Sequence, residues 1–396
     1  MPLPMRPKKL AAGLLAAACL ALASGCGGDD DAPSGAGADA AGGDAPGGVP
    51  KSFWGVVSGT PLSEEEMAMM GEARTGTLRH LVLWPELEPS ADDEYDWSKL
   101  DPVVAGAAEN GIEMLPFVYG TPHWTVGDCL GLEPLECQRI PPLASEEAKR
   151  AWQDFLTDLV VRYGPDGTFW SDDSDDYDPP KVPITQWQIW NEPSSQSFFQ
   201  PETDPAKYAE LVRLSHDAIL DEDPEAEIVL AGLFRTPQKG AGNGGGPAQF
   251  LSDLYAADED VGDFFDTVAL HPYASNLDQI DQLFEQVLPV LDEAGDGDKP
   301  IWVSELGWSS APPEPNKPLL KGVDGQEELL ADSFELLRDK RDDWRIEGVI
   351  WYQWKDLPDP VEGCTFCQLS GLLDAGDEPK PAFDAFTEFT GGDPPG

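Results

Sequence analysis

The stretch Trp187-Gln188-Ile189-Trp190-Asn191-Glu192-Pro193 decides the fold of this chain. The β-branched and aromatic run from Ile184 to Trp190 predicts a strand that is buried on both faces, as in a parallel sheet. Pro193 cannot donate to a sheet ladder, so the strand ends there and leaves Glu192 at its C-terminal end. In a parallel α/β barrel, that end of the strands carries the chemistry. The alternative is that Glu192 caps the next helix.

A second stretch repeats this design: Lys299-Pro300-Ile301-Trp302-Val303-Ser304-Glu305-Leu306-Gly307-Trp308. It predicts another short buried strand that delivers a carboxylate, Glu305, at its C-terminal end. The separation of the two carboxylates corresponds to about three βα units of a barrel. The sequence therefore predicts a single (β/α)8 TIM barrel in which the two strands are the fourth and the seventh.

This pattern resembles clan A of the retaining glycoside hydrolases, in which Asn-Glu-Pro closes strand four and a nucleophilic Glu closes strand seven. The resemblance is strongest to family 39 and the related exopolysaccharide endohydrolases, with the cellulase-like family 5 a near second. It implies that Glu192 is the acid/base, that Asn191 binds the 2-hydroxyl group of the substrate and that Glu305 is the nucleophile.

Arg79 lies in the buried run of strand two, where a charged side chain needs a partner. The resemblance implies that this partner is the nucleophile, and a structural ion pair in the barrel wall is the alternative. After strand three, the resemblance places His123 and Trp124 at the sugar site. A plain loop position is the alternative for His123.

Strand six ends in His271 and Tyr273. The resemblance implies that this pair lies beneath the active centre and that the tyrosine donates to the nucleophile; a structural His–Tyr pair is the alternative. In strand eight, the resemblance expects Trp351 to stack on a sugar ring through its apolar face. A core position for Trp351, with Trp354 as the platform, is the alternative.

Two carboxylates on either side of a glycosidic bond divide the work according to their surroundings. Arg79 and Tyr273 beside Glu305 favour its ionised form, which a nucleophile requires. Glu192 can stay protonated, donate to the leaving oxygen and then activate water. These roles predict an O-glycosyl hydrolase that acts on a poly- or oligosaccharide by double displacement, without metal or organic cofactor. The alternatives are a transglycosylase that remodels a cell-surface polysaccharide and a non-catalytic carbohydrate-binding lipoprotein.

The chain is strongly acidic, with 74 Asp and Glu against 25 Lys and Arg and a net charge of −49. This charge argues against nucleic acid and anionic lipid as partners. It also disfavours a polyanionic substrate, unless a local basic pocket overrides it. Adaptation to salt or a compositional habit explains the charge without any catalytic meaning. We expect a monomer.

Four of the six cysteines form two close pairs, Cys129 with Cys137 and Cys364 with Cys367. In an exported chain, local disulfides are the expected state of such pairs. A four-cysteine zinc site is the alternative, because Cys-x-x-Cys occurs once. The wider spacing of the first pair does not fit the usual zinc motifs.

Residues 1–25 predict a lipoprotein signal peptide, because basic residues precede an apolar run, Leu10 to Ser24, that is too short to span a bilayer. The sequence Leu22-Ala23-Ser24-Gly25-Cys26 resembles a bacterial lipobox. The resemblance implies that Cys26 carries the lipid and anchors the protein to a bacterial membrane at the cell surface. Cys19 is a weaker alternative, and secretion after ordinary cleavage is another.

The remaining boundaries follow from composition. Residues 26–50 are mostly Gly, Ala and Asp, which predicts a disordered linker. Residues 51–391 are the predicted glycoside hydrolase domain, and residues 392–396 are a short tail.

Overall fold

The computed structural model describes residues 43–394, except for residues 60, 92–93, 128, 130–133, 172–178, 235–245 and 362–363. The strands are β1 (Trp54–Val57), β2 (Thr77–Leu83), β3 (Glu113–Tyr119), β4 (Gln186–Ile189), β5 (Glu227–Leu230), β6 (Leu233–Phe234), β7 (Val268–His271), β8 (Ile301–Leu306) and β9 (Ile346–Trp351). They form one parallel sheet in the order β5-β4-β3-β2-β1-β9-β8-β7-β6.

Strands β5 and β6 are two halves of one barrel strand, interrupted at Ala231 and Gly232. β5 pairs with β4, and β6 pairs with β7. Next to the interruption, the N–H of Leu230 donates to the carbonyl of Thr267 at 2.9 Å, and Val229 forms a parallel bridge with Thr267. The sheet therefore curls back on itself with eight barrel positions. This confirms the predicted (β/α)8 barrel, with β4 as its fourth strand and β8 as its seventh.

Helices surround the sheet, and all but the last lie between strands in the chain. They are α1 (Glu64–Glu72), α2 (Trp84–Leu87), α3 (Asp101–Glu109), α4 (His123–Val126), α5 (Pro134–Cys137), α6 (Glu146–Tyr163), α7 (Pro205–Glu222), α8 (Gly246–Ala257), α9 (Asp278–Ala294), α10 (Gly322–Asp339), α11 (Arg341–Trp344) and α12 (Pro381–Thr390). α1 begins with a capping box between Ser63 and Glu66, which satisfies two backbone donors at once. In the described part of the chain, no helix combines the length and the apolar composition that crossing a bilayer requires.

The core lies on both sides of the sheet, inside the barrel and under the helices. Every residue of β8 and of β9 is buried, as expected when helices cover a parallel sheet. Tryptophans supply much of the packed volume, and those with almost no exposed surface are Trp54, Trp84, Trp152, Trp187, Trp190, Trp302, Trp308, Trp351 and Trp354.

Residues 43–50 pack on the domain, although the sequence analysis placed them in the linker. Ala45 and Val49 pair across a turn and expose only 4% and 2% of their surfaces. Two small apolar side chains are enough to fix this segment against the core, and its overall composition conceals them. The domain therefore begins before residue 51. Cys26, the signal residues and the rest of the linker lie outside the described residues.

This N-terminal segment joins the domain at the face formed by the N-terminal ends of the strands. Arg74, just after α1, donates to the carbonyl of Gly43 at 2.6 Å. A Cβ on Gly47 would lie 2.8 Å from the side chain of Arg338, in the last turn of α10. Both contacts lie where helices end and strands begin, at the end of the barrel opposite to Glu192 and Glu305.

Both predicted disulfides are present. Cys129 and Cys137 are bridged with a Cα–Cα distance of 5.2 Å, and Cys364 and Cys367 with a distance of 5.5 Å. Because each sulfur is bonded to its partner, a zinc site made from these four thiolates is inconsistent with the structure.

Candidate active site

Glu192 lies three residues beyond the end of β4, on a turn with unusual backbone geometry. Trp190 and Glu192 have φ angles of 74° and 39°, in the left-handed region that residues with a Cβ rarely occupy. The Trp190 indole donates to the carbonyl of Phe198 at 3.0 Å and packs on Tyr119 at 4.7 Å between ring centroids. These contacts fix Trp190 on the side of the helices, and the turn then directs Glu192 into the barrel.

Glu305 lies within β8, where the register with β9 shifts between Val303 and Leu306, and its side chain is completely buried. The Tyr273 hydroxyl, two residues after β7, donates to Glu305 Oε2. The neighbouring strand ends are held together as well, because the Trp308 indole donates to the carbonyl of Ala274 at 2.7 Å. The predicted contact between Tyr273 and the nucleophile position is thus present.

His271 joins the two carboxylates. Its Nδ1 hydrogen-bonds Oε1 of Glu192 at 2.8 Å and lies 3.0 Å from Oε1 of Glu305. One ring nitrogen of His271 and one oxygen of each carboxylate all lie within 4.8 Å of one another. The nearest oxygens of the two carboxyl groups are therefore at most 4.8 Å apart. Three residues from strand positions four, six and seven therefore meet at one point, as the barrel topology predicted.

Arg79 is fully buried beneath this point, with Gln188 as a hydrogen-bond partner. Its Nε donates to Gln188 Oε1 at 2.8 Å, and its guanidinium lies 3.7 Å above the Phe117 ring. The Gln188 amide in turn donates to the carbonyl of Leu230 at 3.2 Å. The arginine reaches the carboxylates through its charge, which lowers the pKa of both Glu192 and Glu305.

Burial dominates the electrostatics of the pair. It raises the pKa of Glu192 and of Glu305 well above the ordinary value of 4.5, and the Glu192 charge raises that of Glu305 further. The charge of Arg79 opposes both shifts, whereas the Tyr273 hydrogen bond opposes that of Glu305 alone. The sequence motifs predict the effects of the cation and the tyrosine but not the extent of this burial. Two such close groups titrate as a pair, and Glu305 is the member whose anion has the extra hydroxyl donor.

Asn191 lies between the two unusual backbone positions and is fully buried. Neither its amide nitrogen nor its amide oxygen has a hydrogen-bond partner within the described residues. Buried amides are normally satisfied. An unsatisfied amide next to Glu192 therefore fits the predicted role of binding a substrate hydroxyl group.

The prediction for Trp351 is wrong. Its side chain is fully buried, its indole donates to the carbonyl of Ser370 at 3.1 Å, and its ring packs near Phe334 of α10. Trp354, the alternative platform, is also fully buried. Successive residues of a strand point to opposite faces, and the next residue, Tyr352, is the one whose ring lies 6.2 Å from Tyr273.

His123 and Trp124 form the short helix α4 after β3. His123 is exposed, and a nitrogen of its ring lies within 4.8 Å of the sulfurs of the Cys129–Cys137 bridge. Trp124 is half-buried and donates to the carbonyl of Glu88 at 3.2 Å. Their predicted contact with a sugar stays a prediction.

Three residues of the site were not predicted from the sequence: Gln188, Gly232 and Tyr352. Gln188 had a signal, because a polar residue in a strand buried on both faces needs a partner, and so does Arg79. Tyr352 differs from the predicted Trp351 by one position. Gly232 gave no signal, because its importance depends on a ring contributed by another strand.

The three donors of Glu192, His271 and Glu305 lie close enough to surround a metal ion. A metal at His271 Nδ1 would place the ring proton on Nε2, and Nε2 has no hydrogen-bond partner among the described residues. Metal-ligating histidines almost always donate that proton to an acceptor. The geometry therefore fits a hydrogen-bonded carboxylate pair better than a metal site.

Solved structures share this architecture. A family 39 glycoside hydrolase from Bacteroides cellulosilyticus WH2 superposes with a TM-score of 0.59 at 19% identity, covering 86% of this chain and 64% of its own. A family 39 β-xylosidase from Caulobacter crescentus gives 0.57 at 18% identity, covering 82% and 66%. A subfamily 18 enzyme of family 5 from Streptomyces cattleya, in complex with Manβ1-4GlcNAc, gives 0.60 at 14% identity, covering 85% and 79%.

The chain has the fold of these glycoside hydrolases. Neither a family model nor a curated protein matches the sequence. The chain covers 64% and 66% of the lengths of the two family 39 structures. At such low identity the likeness concerns the fold, so activity must be argued from the site itself.

Proposed function

We propose that this protein is a retaining glycoside hydrolase that cleaves O-glycosidic bonds of a poly- or oligosaccharide. Glu305 is its nucleophile and Glu192 its acid/base. The proposal rests on one observation, the close approach of the two carboxylates around His271 in the barrel of a glycoside hydrolase fold.

The separation favours retention of the anomeric configuration. Retaining enzymes hold their two carboxyl groups about 5–5.5 Å apart, whereas inverting enzymes need about 6.5–9.5 Å to admit a water molecule between carboxylate and sugar. The nearest oxygens of Glu192 and Glu305 lie within 4.8 Å. This distance is closer to the retaining than to the inverting separation, which supports direct attack by a carboxylate.

The surroundings divide the roles. Tyr273 donates to Glu305, which stabilises its anion for attack on the anomeric carbon. Burial raises the pKa of both carboxyl groups, and Glu192, which has no such hydroxyl donor among the described residues, can give its proton to the departing glycosidic oxygen. In the second half of the reaction, Glu192 removes a proton from water, the resulting hydroxide attacks the anomeric carbon and Glu305 leaves as a carboxylate.

Product stereochemistry tests this proposal. The protein from residue 27 onward is incubated with a panel of polysaccharides and aryl glycosides, and the anomeric proton of the first product is followed by NMR. We expect retention and no turnover by a Glu192→Gln/Glu305→Gln double variant. An inverted first product would overturn the role assignment. Transfer to sugar acceptors in place of water would identify a transglycosylase, and binding without turnover a carbohydrate-binding protein.

We also propose that Cys26 carries a lipid that anchors the protein to a bacterial membrane, on the basis of the lipobox-like sequence before it. Expressed in a bacterial host, the wild type should partition into detergent and incorporate labelled lipid, and Cys26→Ser should do neither. Soluble wild-type protein cleaved at another position would contradict the anchor without affecting the proposed activity.

A further inference from the structure

His271 is the residue that approaches both carboxylates with a single atom. Its ring is fully buried, and Nδ1 lies 2.8 Å from Oε1 of Glu192 and 3.0 Å from Oε1 of Glu305. The hydrogen-bond geometry favours Glu192, and Glu305 Oε1 has no hydrogen-bond partner among the described residues. One N–H group therefore lies within reach of two acceptors, and a small rotation of the ring would move it from one to the other.

Gly232 supports the opposite edge of this ring. A Cβ at this position would lie 1.7 Å from Nε2, 2.2 Å from Cδ2 and 2.5 Å from Cε1 of His271. The φ angle of Gly232 is outside the left-handed region, so the glycine is needed here for space. Gly232 precedes β6, which pairs with β7 in the register Phe234 with His271. The missing side chain is what lets the imidazole extend from β7 across the barrel toward the carboxylates.

The same contact selects the tautomer of the ring. Nε2 faces Gly232 and has no hydrogen-bond partner among the described residues. A proton on Nε2 would be a buried donor without an acceptor, which is costly, whereas a proton on Nδ1 has two acceptors. Burial, followed by the charge of Arg79, lowers the pKa of His271 well below its ordinary value. The ring is therefore neutral and carries its proton on Nδ1.

We propose that Gly232 is a positioning residue of the proposed active site: the space it leaves holds neutral His271 as one hydrogen-bond donor shared by the acid/base and the nucleophile. The shared N–H follows the negative charge during the reaction. A small rotation of the ring from its hydrogen bond with Glu192 lets the N–H serve Glu305 while that group is the anion that attacks, and the N–H returns to Glu192 after Glu305 has become part of the glycosyl ester. His271 gives up no proton in either step. The groups that face it are Glu192, Glu305, Tyr273 and Arg79.

A nitrogen NMR experiment tests the tautomer without reference to activity. The chain has only four histidines, so ¹⁵N-histidine labelling of the whole protein yields few ring signals, and His271→Ala assigns those of His271. We expect a protonated Nδ1 and an unprotonated Nε2 that persist between pH 5 and pH 8. A proton on Nε2, or a charged ring within this range, would overturn the proposal even if the protein proves to be a glycosidase.

A double-mutant cycle tests the link from Gly232 to His271 and rests on the proposed function for its kinetic readout. Gly232→Ala should lower kcat/KM by about 10–100-fold, the usual worth of a hydrogen bond to a charged group, and should move the acid limb of the pH profile upward. In the His271→Ala background, the same glycine substitution should cost less than about 2-fold, because the added methyl group then fills the vacated space.

Gly55→Ala in β1 is the matched control. Its Cβ would lie 2.5 Å from the carbonyl of Thr77, so it disturbs a barrel strand without touching His271. We expect lower stability with an unchanged pH profile. If Gly232→Ala behaves like this control, or if it is equally harmful with and without His271, Gly232 is a packing residue and the proposal fails. If neither the wild type nor any variant turns over a glycoside, the proposed function fails, and the NMR result still decides the tautomer.

Discussion

The ends of β4 and β8 look alike in sequence and differ in structure. Each is a short buried strand that delivers a glutamate to the interior of the barrel. Glu305 lies inside its strand, at a shift in register with β9 and without a positive φ, whereas Glu192 lies beyond its strand on a turn where Trp190 and Glu192 both have positive φ. One carboxylate is placed within a strand, and the other by a left-handed backbone conformation that the surrounding packing must stabilise.

The partners of the two carboxylates differ as well. Glu305 accepts from the Tyr273 hydroxyl, and Glu192 shares a hydrogen bond with Nδ1 of His271. Burial affects both groups alike, so the division of labour depends on hydrogen bonds and backbone geometry. The two glutamates therefore differ in hydrogen-bond partners and backbone geometry. Neither difference can be read from the short motifs that contain them.

The largest expected effect comes from replacing each carboxylate in turn, because the two replacements should have different consequences. Glu305→Ala should abolish turnover of every substrate, because no covalent intermediate can form, and azide should rescue it with an inverted product. Glu192→Ala should slow natural glycosides by about 10²–10⁴-fold and spare aryl glycosides whose leaving groups need little protonation. Steady-state kinetics on both substrate types checks this. Equal residual activity of the two variants on aryl glycosides would contradict the separate roles of nucleophile and acid/base.

Removing the hydroxyl donor to Glu305 should have the next largest effect. Tyr273→Phe should lower kcat/KM by about 10–100-fold and raise the pKa of Glu305, so that the acid limb of the pH–rate profile moves upward. Arg79→Met should move both limbs upward, because the charge of Arg79 lowers the pKa of both carboxyl groups. If the two variants give the same profile, Tyr273 does not distinguish Glu305 from Glu192.

Burial of Glu192 and Glu305 should make the stability of the folded protein depend on pH. Burial raises the pKa of both groups above 4.5, so between 4.5 and the raised values the folded protein holds protons that the unfolded chain has released. Stability is therefore lost as pH rises through this window. Glu192→Gln and Glu305→Gln should each have a higher Tm than the wild type at pH 7, and the gain should vanish near pH 4. Glu328→Gln, at an exposed position of α10, is the control. A gain that persists at pH 4 would have another cause.

The smallest expected effect concerns the backbone alone. Asparagine tolerates left-handed backbone better than glutamine does, and it is depleted in strands. Glu192→Asn should therefore be more stable than Glu192→Gln by a few tenths to about 1 kcal/mol. At position 305, the asparagine variant should be no more stable than the glutamine variant. Urea unfolding of the four variants measures the difference, and the same ranking at both positions would contradict the backbone contrast.

The barrel and its two carboxylates could be predicted because the signals are local. An apolar run predicts each of the two strands, and Pro193 limits the first, although β4 already ends at Ile189. The parallel topology then brings those strand ends together. The tyrosine that donates to Glu305 followed from the resemblance to clan A, and the structure contains that contact.

The predictions that were wrong depend on strand register and on contacts between residues that are far apart in the sequence. The face of a strand changes with every residue, and Trp351 belongs to the face that packs near Phe334 of α10. The positive φ of Glu192 and the space at Gly232 are set by contacts between elements that are far apart in the chain. The linker boundary failed because composition averages over Ala45 and Val49, which pack on the core.

The packing of residues 43–50 also fixes the point at which the chain enters the domain. The chain enters the domain at the end of the barrel where strands begin, and the candidate active site lies at the other end. With the anchor proposed at Cys26, the tether would join the domain at its base, on the side away from the carboxylates. A protein attached in this way would keep the face that carries its candidate active site clear of its own tether.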